Sequence, residues 1–192
     1  MDPFAYDHLM VRRKLFTIIH TDFSLQTPDG TKVLWGRKKG FKLKEDIRIY
    51  ADEEMTREIL SIQARQLIDF SGTYDVVDAR DQRKIGALRR KGLRSIFRDE
   101  WHLLGPDDVQ IGTMQEDSAG MALLRRFLSN LIPQAFNVMI GSSTVAEIRQ
   151  QFNPFRFRLG IDFTRDPQRQ LDRRLGVAAA VLLSMIEGRQ SD

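Results

Sequence analysis

Apolar and polar residues alternate with a period of two along most of the chain, the pattern of strands with one face buried and one in water. Ile47 and Ile49 alternate with Arg48 and Tyr50, and Leu60, Ile62, Ala64, Ile68 and Phe70 share one parity. Val33 and Trp35 alternate with Lys32, Leu34 and Gly36, which predicts Val33 and Trp35 on the buried face. Further strands are expected at Asp22 to Leu25, Tyr74 to Val77, Ile85 to Leu88, Ile96 to Leu104 and Val109 to Met114. Phe136, Val138 and Ile140 continue the pattern, followed by Ala146, Ile148 and Phe152. The clearest case is Phe155, Phe157, Leu159, Ile161 and Phe163, interleaved with Arg156, Arg158, Gly160 and Asp162. Turn signals separate the runs, among them Pro28-Asp29-Gly30, Asp78-Ala79-Arg80-Asp81, Lys91-Gly92 and Gly105-Pro106-Asp107-Asp108.

Two stretches break the alternation. Near 118–130, Leu124, Phe127, Leu128 and Leu131 recur at helical spacing after Asp117-Ser118, which predicts an amphipathic surface helix. Leu175 to Ile186 is apolar on every side of a helix and must be enclosed by protein or lipid. This run of about 12 residues rises about 18 Å, whereas a bilayer core needs about 20 apolar residues, so it is expected to be a buried core helix. Asp166-Pro167 reads as its start, with Asp166 as the N-cap and Pro167 at the first helical position.

About 11 or 12 strands with one oily helix at the end predict a closed barrel. Side chains fill a barrel only up to about 8 strands, so a wider one needs a plug. The fold class expected is mainly β: a closed antiparallel barrel of about 12 strands around a buried C-terminal helix.

Length and composition add limits. The 192 residues suit one domain, expected over 15–190 behind a flexible leader, 1–14, that lacks the pattern of a secretory signal. The absence of cysteine fits a cytoplasmic protein and removes thiolate metal ligands. The net charge is only +4, but its placement is uneven: Lys32 to Lys44 holds six basic residues and no acid, Arg83 to Arg98 seven and no acid. Such blocks attract phosphates, or else form an ordinary solvated face.

At this point the chain resembles a known group, the LURP-one-related and phospholipid scramblase family, which shares the tubby C-terminal fold. The resemblance rests on Tyr74-Asp75-Val76-Val77-Asp78, Lys84 to Gly92, Arg94-Ser95, Arg98-Asp99-Glu100-Trp101, Ile111-Gly112, Glu116-Asp117 and Leu171-Asp172-Arg173-Arg174-Leu175, within a span from Leu15 to Arg189. It implies a 12-stranded barrel around a hydrophobic C-terminal helix. For function it implies phosphoinositide binding through basic surface residues, as in tubby-type members, or the calcium-triggered lipid mixing associated with scramblases. The calcium loop of scramblases is not matched: Asp162, Asp166 and Asp172 are dispersed among arginines, whereas calcium takes 6 to 8 oxygen ligands from a compact loop.

Catalytic motifs are scarce in the sequence. His8, His20 and His102 are far apart and have no zinc-site spacing, and no GxGxxG, Walker loop or GxSxG is present. Asp99-Glu100-Trp101-His102 falls in one strand, which sends Asp99 and Trp101 to one face and Glu100 and His102 to the other. No cofactor, metal site or catalytic residue is expected, and the protein is expected not to be an enzyme.

The basic blocks remain. Arg37, Lys38, Lys39, Lys42 and Lys44, interleaved with Phe41 and Leu43, are expected to contact anionic head groups, with Arg89, Arg90, Lys91 and Arg94 as a second cluster. The expected partner is an anionic lipid head group or membrane surface, with the protein cytoplasmic and peripheral to the membrane. The alternatives are a scramblase whose last helix enters the bilayer, and weak nonspecific binding to nucleic acid, which the lack of aromatic platforms disfavours.

Overall fold

A computed structural model describes residues 2–13, 20–39, 46–65, 72–91, 100–117, 134–151 and 158–186. Twelve strands run in chain order: β1 (His8–Arg13), β2 (His20–Gln26), β3 (Lys32–Lys39), β4 (Asp46–Tyr50), β5 (Glu58–Ala64), β6 (Thr73–Asp78), β7 (Arg83–Arg90), β8 (Glu100–Leu104), β9 (Gln110–Glu116), β10 (Ala135–Ile140), β11 (Ser143–Gln151) and β12 (Arg158–Asp162). Each pairs antiparallel with its neighbours in sequence, and β1 pairs with β12 to close the barrel. Closure leaves no sheet edge open to another chain.

One helix, α1 (Arg173–Ile186), fills the lumen, and every residue in it except Arg174 and Ile186 is buried. It packs chiefly on β12, β7, β1 and β5. Around it stand inward side chains from every wall, including Leu9, Val11, Leu25, Leu34, Ile47 and Ile49, all at most 3% exposed. The period-two reading therefore holds for β4 and β5, and the apolar-all-round reading holds for α1. Strand and helix are mutually dependent: the lumen is too wide for the wall's own side chains, and the helix has no polar face to give to water.

Several expectations are corrected. Residues 8–13, assigned to a flexible leader, form the strand that closes the barrel, because Leu9 and Val11 lie in register with Ile161 and Leu159. In β3 the parity is reversed: Leu34 is fully buried, while Val33 and Trp35 stand half-buried on the outer wall. The reason lies in the neighbouring strand, where Phe23 fills the inward space over Gly36, which has no side chain of its own. Asp166 does cap backbone groups, accepting from the amides of Gln170 (2.8 Å) and Leu171 (3.0 Å), but it caps a turn. Arg169 adopts a left-handed φ of 54° there, so the helix cannot begin at Pro167. Asp172 is the helix N-cap, with Oδ1 accepting from the Arg174 amide at 2.9 Å. The predicted helix near 118–130, the 155–157 part of the last strand, Ile68, Phe70 and 96–99 lie outside the described residues.

Candidate functional site

In an up-and-down barrel every odd-numbered strand runs the same way, so β1, β3, β5, β7, β9 and β11 all end at one rim. Arg13, at the end of β1, donates from Nη1 to the Ser184 carbonyl, which places the C-terminal turn of α1 at this rim. Asp78, at the end of β6, accepts from Arg174 Nη1 at 2.8 Å, which places the start of α1 at the opposite rim.

Topology brings the ends of the strands that carry the basic blocks to one rim, where β3 ends at Lys39 and β7 at Arg90, while Lys32, Arg83 and Lys84 stand toward the other. Four strand spacings of about 4.8 Å separate β3 from β7, about 19 Å around the wall. No single head group reaches both, but a flat surface laid on the rim does.

The two rims differ in charge. The links at the rim where α1 begins (27–31, 51–57, 79–82, 105–109, 141–142 and 163–172) carry nine acids and four bases. The segments that join strands at the other rim (14–19, 40–45, 66–71, 91–99, 117–134 and 152–157) carry nine bases and four acids in sequence. Eight of the twelve phenylalanines also fall in these latter segments, so the basic links are apolar as well as cationic.

The individual cations divide into groups. Arg37 points outward and is held by Asp22 through Nε (2.7 Å) and Nη2 (3.1 Å), so its charge is locally matched. Lys38 points into the barrel and is 6% exposed, which removes it from any surface contact; β3 has the parity opposite to that expected. Arg90 also faces inward, its guanidinium 5.9 Å from the centroid of the buried Trp101 ring. Arg89 stands outward, with Nε 3.4 Å from Thr73 Oγ1. Lys91 is half exposed and bonds Glu100 at 2.9 Å, and this ammonium, then His102, holds the Glu100 carboxyl below its ordinary range against the effect of burial. Lys39 ends β3; its side chain and Lys42, Lys44 and Arg94 lie outside the described residues.

The remaining candidates are accounted for by structure. Trp101 faces inward while Glu100 and His102 share the outer face, 3.4 Å apart, as alternation predicts. Asp162 accepts from Thr164, Asp166 caps its turn and Asp172 caps α1, and no group of three or more metal-ligating side chains occurs among the described residues. What reading the residues singly missed is the opposition of the rims. It was accessible from alternate turns: those after β2, β4, β6 and β8 read Pro-Asp-Gly, Asp-Glu-Glu, Arg-Asp and Pro-Asp-Asp, all acidic or near neutral.

No helix among the described residues is long and apolar enough to cross a membrane. No curated protein matches the chain. A family model described as LURP-one-related matches residues 32–184, from the start of β3 into the last turn of α1. With a 12-stranded barrel closed around its C-terminal helix and that match over well over half its length, the chain belongs to the LURP-one-related family.

Proposed function

We propose that the protein is a binding module rather than an enzyme, and that its basic rim docks on anionic, phosphate-bearing membrane surfaces through phospholipid or phosphoinositide head groups. What supports this reading is that β3 and β7 end at the same rim and that the segments joining strands there are basic in sequence, while the turns at the other rim are acidic. Each cation near an anionic leaflet contributes about 1 kcal/mol, and interleaved apolar residues such as Phe41 and Leu43 add interfacial burial. The acidic rim does not cancel this attraction: α1 alone spans about 21 Å between the rims, against a Debye length of about 8 Å at physiological salt. The resulting polarity orients the barrel with the C-terminal turn of α1 toward the membrane. Since anionic lipid is concentrated in the cytoplasmic leaflet, the site of action is the cytoplasmic membrane surface.

The residues assigned to the contact are Arg89, Lys39, Lys42, Lys44 and Arg94, without the inward Lys38 and Arg90, the Asp22-bound Arg37 and the Glu100-bound Lys91. The test is co-sedimentation with phosphatidylserine/phosphoinositide vesicles, with phosphatidylcholine vesicles and duplex DNA as comparison arms, at about 0.15 M salt where unspecific attraction is screened. Binding to the anionic vesicles alone is expected, and the triple variant Lys42→Glu/Lys44→Glu/Arg94→Glu should lose at least about a hundredfold at about 1 kcal/mol per charge. Vesicle binding unaffected by the triple variant, or binding to DNA in its place, overturns the proposal.

A further inference from the structure

Nine glycines fall in the described residues, and eight have a local reason: a left-handed φ, or a neighbouring atom closer than 3.0 Å to where a Cβ would stand. Gly160 has neither. Its φ is ordinary, and an added Cβ would meet only the Arg149 carbonyl oxygen, at 3.8 Å. Glycine within a strand weakens it and packs nothing, so a mid-strand glycine with open space above it marks a place where something else approaches.

The register shows what surrounds the gap. On the outer wall of β1, β12 and β11, Met10 stands opposite Gly160 and Gly160 opposite Arg149, while the next row places His8, Asp162 and Glu147 side by side. The missing side chain at the centre leaves a groove of about 530 Å³, floored by the Gly160 backbone and walled by Met10 and Pro28. This volume lies within the range of small-molecule sites, about 300–1,000 Å³.

The polar groups are unevenly placed. Glu147 is 14% exposed and accepts from Arg149 Nε (3.0 Å) and Nη2 (2.7 Å) with one oxygen and from Arg165 (2.9 Å) with the other. Two guanidiniums share the Glu147 carboxylate, and this bidentate hold fixes Arg149 at the edge of the groove. Gln151 lines the groove beside it. In the next row, between His8 and Glu147, the Asp162 carboxyl is held below its ordinary range: burial acts to raise its pKa, but hydrogen bonds from Thr164 and the nearby His8 and Arg165 outweigh that. An anionic group is therefore directed away from Asp162 and toward Arg149 and Gln151.

We infer that this groove is a binding site for a small organic anion with a flat apolar body, the body lying on Gly160 against Met10 and Pro28 and the anion meeting Arg149. It is separate from the basic rim and stands or falls independently of it. The test is amide NMR of the whole protein titrated with 3-phenylpropionate, with 3-phenylpropylamine as the cationic comparison. Saturable millimolar shifts centred on Met10, Arg149 and Gly160 are expected for the carboxylate, and at least tenfold weaker binding for the amine. Gly160→Val should abolish the shifts while leaving the melting temperature unchanged or higher, since it fills open space with a good strand former. Arg149→Ala should reduce carboxylate affinity to the level of the amine. Absence of saturable shifts, equal affinity for acid and amine, or binding that survives Gly160→Val overturns the assignment, and a fall in melting temperature for Gly160→Ala would show that the glycine serves the wall rather than a ligand.

Discussion

Arg13, the last residue of the first strand, donates from Nη1 to the carbonyl oxygen of Ser184 in the last turn of the final helix, at 3.3 Å and across 171 residues of sequence. The contact ties the two ends of the fold, and it sets a buried cation on the negative end of the helix dipole. Arg13→Leu should therefore cost about 1–3 kcal/mol, from the charged hydrogen bond and the dipole interaction together. The check is a lower urea midpoint at constant slope; an unchanged midpoint would mean the helix end is held by other contacts.

Gly86 on β7 faces Leu175 of α1. A Cβ there would press on the Leu104 carbonyl and come within 3.2 Å of Leu175 Cδ2. Gly86→Ala is thus an overpacking change at the point where wall and helix approach, expected to cost about 1–3 kcal/mol. Thermal melts of Gly86→Ala and Gly160→Ala should move in opposite directions or differ clearly, although both add one methyl to a strand glycine.

At the acidic rim, Asp78 is nearly fully buried and accepts from Arg80 in its own turn and from Arg174, which anchors it to the first turn of α1. The Arg80 hydrogen bonds, then the Arg174 pair, hold its carboxyl far below the ordinary range despite the opposing effect of burial. Asp108, bonded by Lys84 and then Arg65, is lowered to about 2. A carboxyl whose pKa is depressed by folding stabilises the native state above its unfolded value and loses that contribution as pH falls through the folded one. Stability should accordingly be flat near neutrality and drop from about pH 4 to about pH 2 and below. Asp78→Asn should destabilise at pH 7 by about 2–4 kcal/mol, leaving Arg174 without its buried partner, and should flatten the acid limb. Denaturant melts at a series of pH values give both quantities; a wild-type acid limb retained in Asp78→Asn would assign it to other groups.

How much of this was legible in the sequence follows from which interactions are local. The alternation in β4, β5 and β10 is a property of a few neighbouring residues, and it predicted the buried faces of Ile47, Leu60 and Val138. The enclosure of α1 followed from its having no polar side. By contrast, β3 was read on the wrong parity because Val33 and Trp35 outweigh Leu34 and Gly36 in apolar size, while the deciding fact is the Phe23 ring across the strand pair. The short strand at His8–Arg13 looks like a charged leader until it meets β12, some 150 residues later. Asp166-Pro167 is a sound helix-start signal overridden by the left-handed turn at Arg169. The basic blocks were visible, but not that Lys38 and Arg90 turn inward, since that depends on parity, nor that the strands carrying the blocks end at one rim, since that depends on topology.

Removing the helix should remove the fold. A chain ending at Asp166 loses the side chains that fill the lumen, and the inner wall then exposes a large apolar surface. Such a truncation should be insoluble or lack a cooperative melt; a soluble, cooperatively melting fragment would mean the wall is self-sufficient.

On a membrane, α1 is expected to stay inside the barrel while the basic rim meets the lipid. Hydrogen exchange of the amides from Gly176 to Met185, measured with and without anionic vesicles, tests it most directly. These amides should exchange only through global unfolding, and vesicle binding should leave their protection intact or raise it. Loss of protection along α1 on vesicle binding would show instead that the helix leaves its barrel for the lipid.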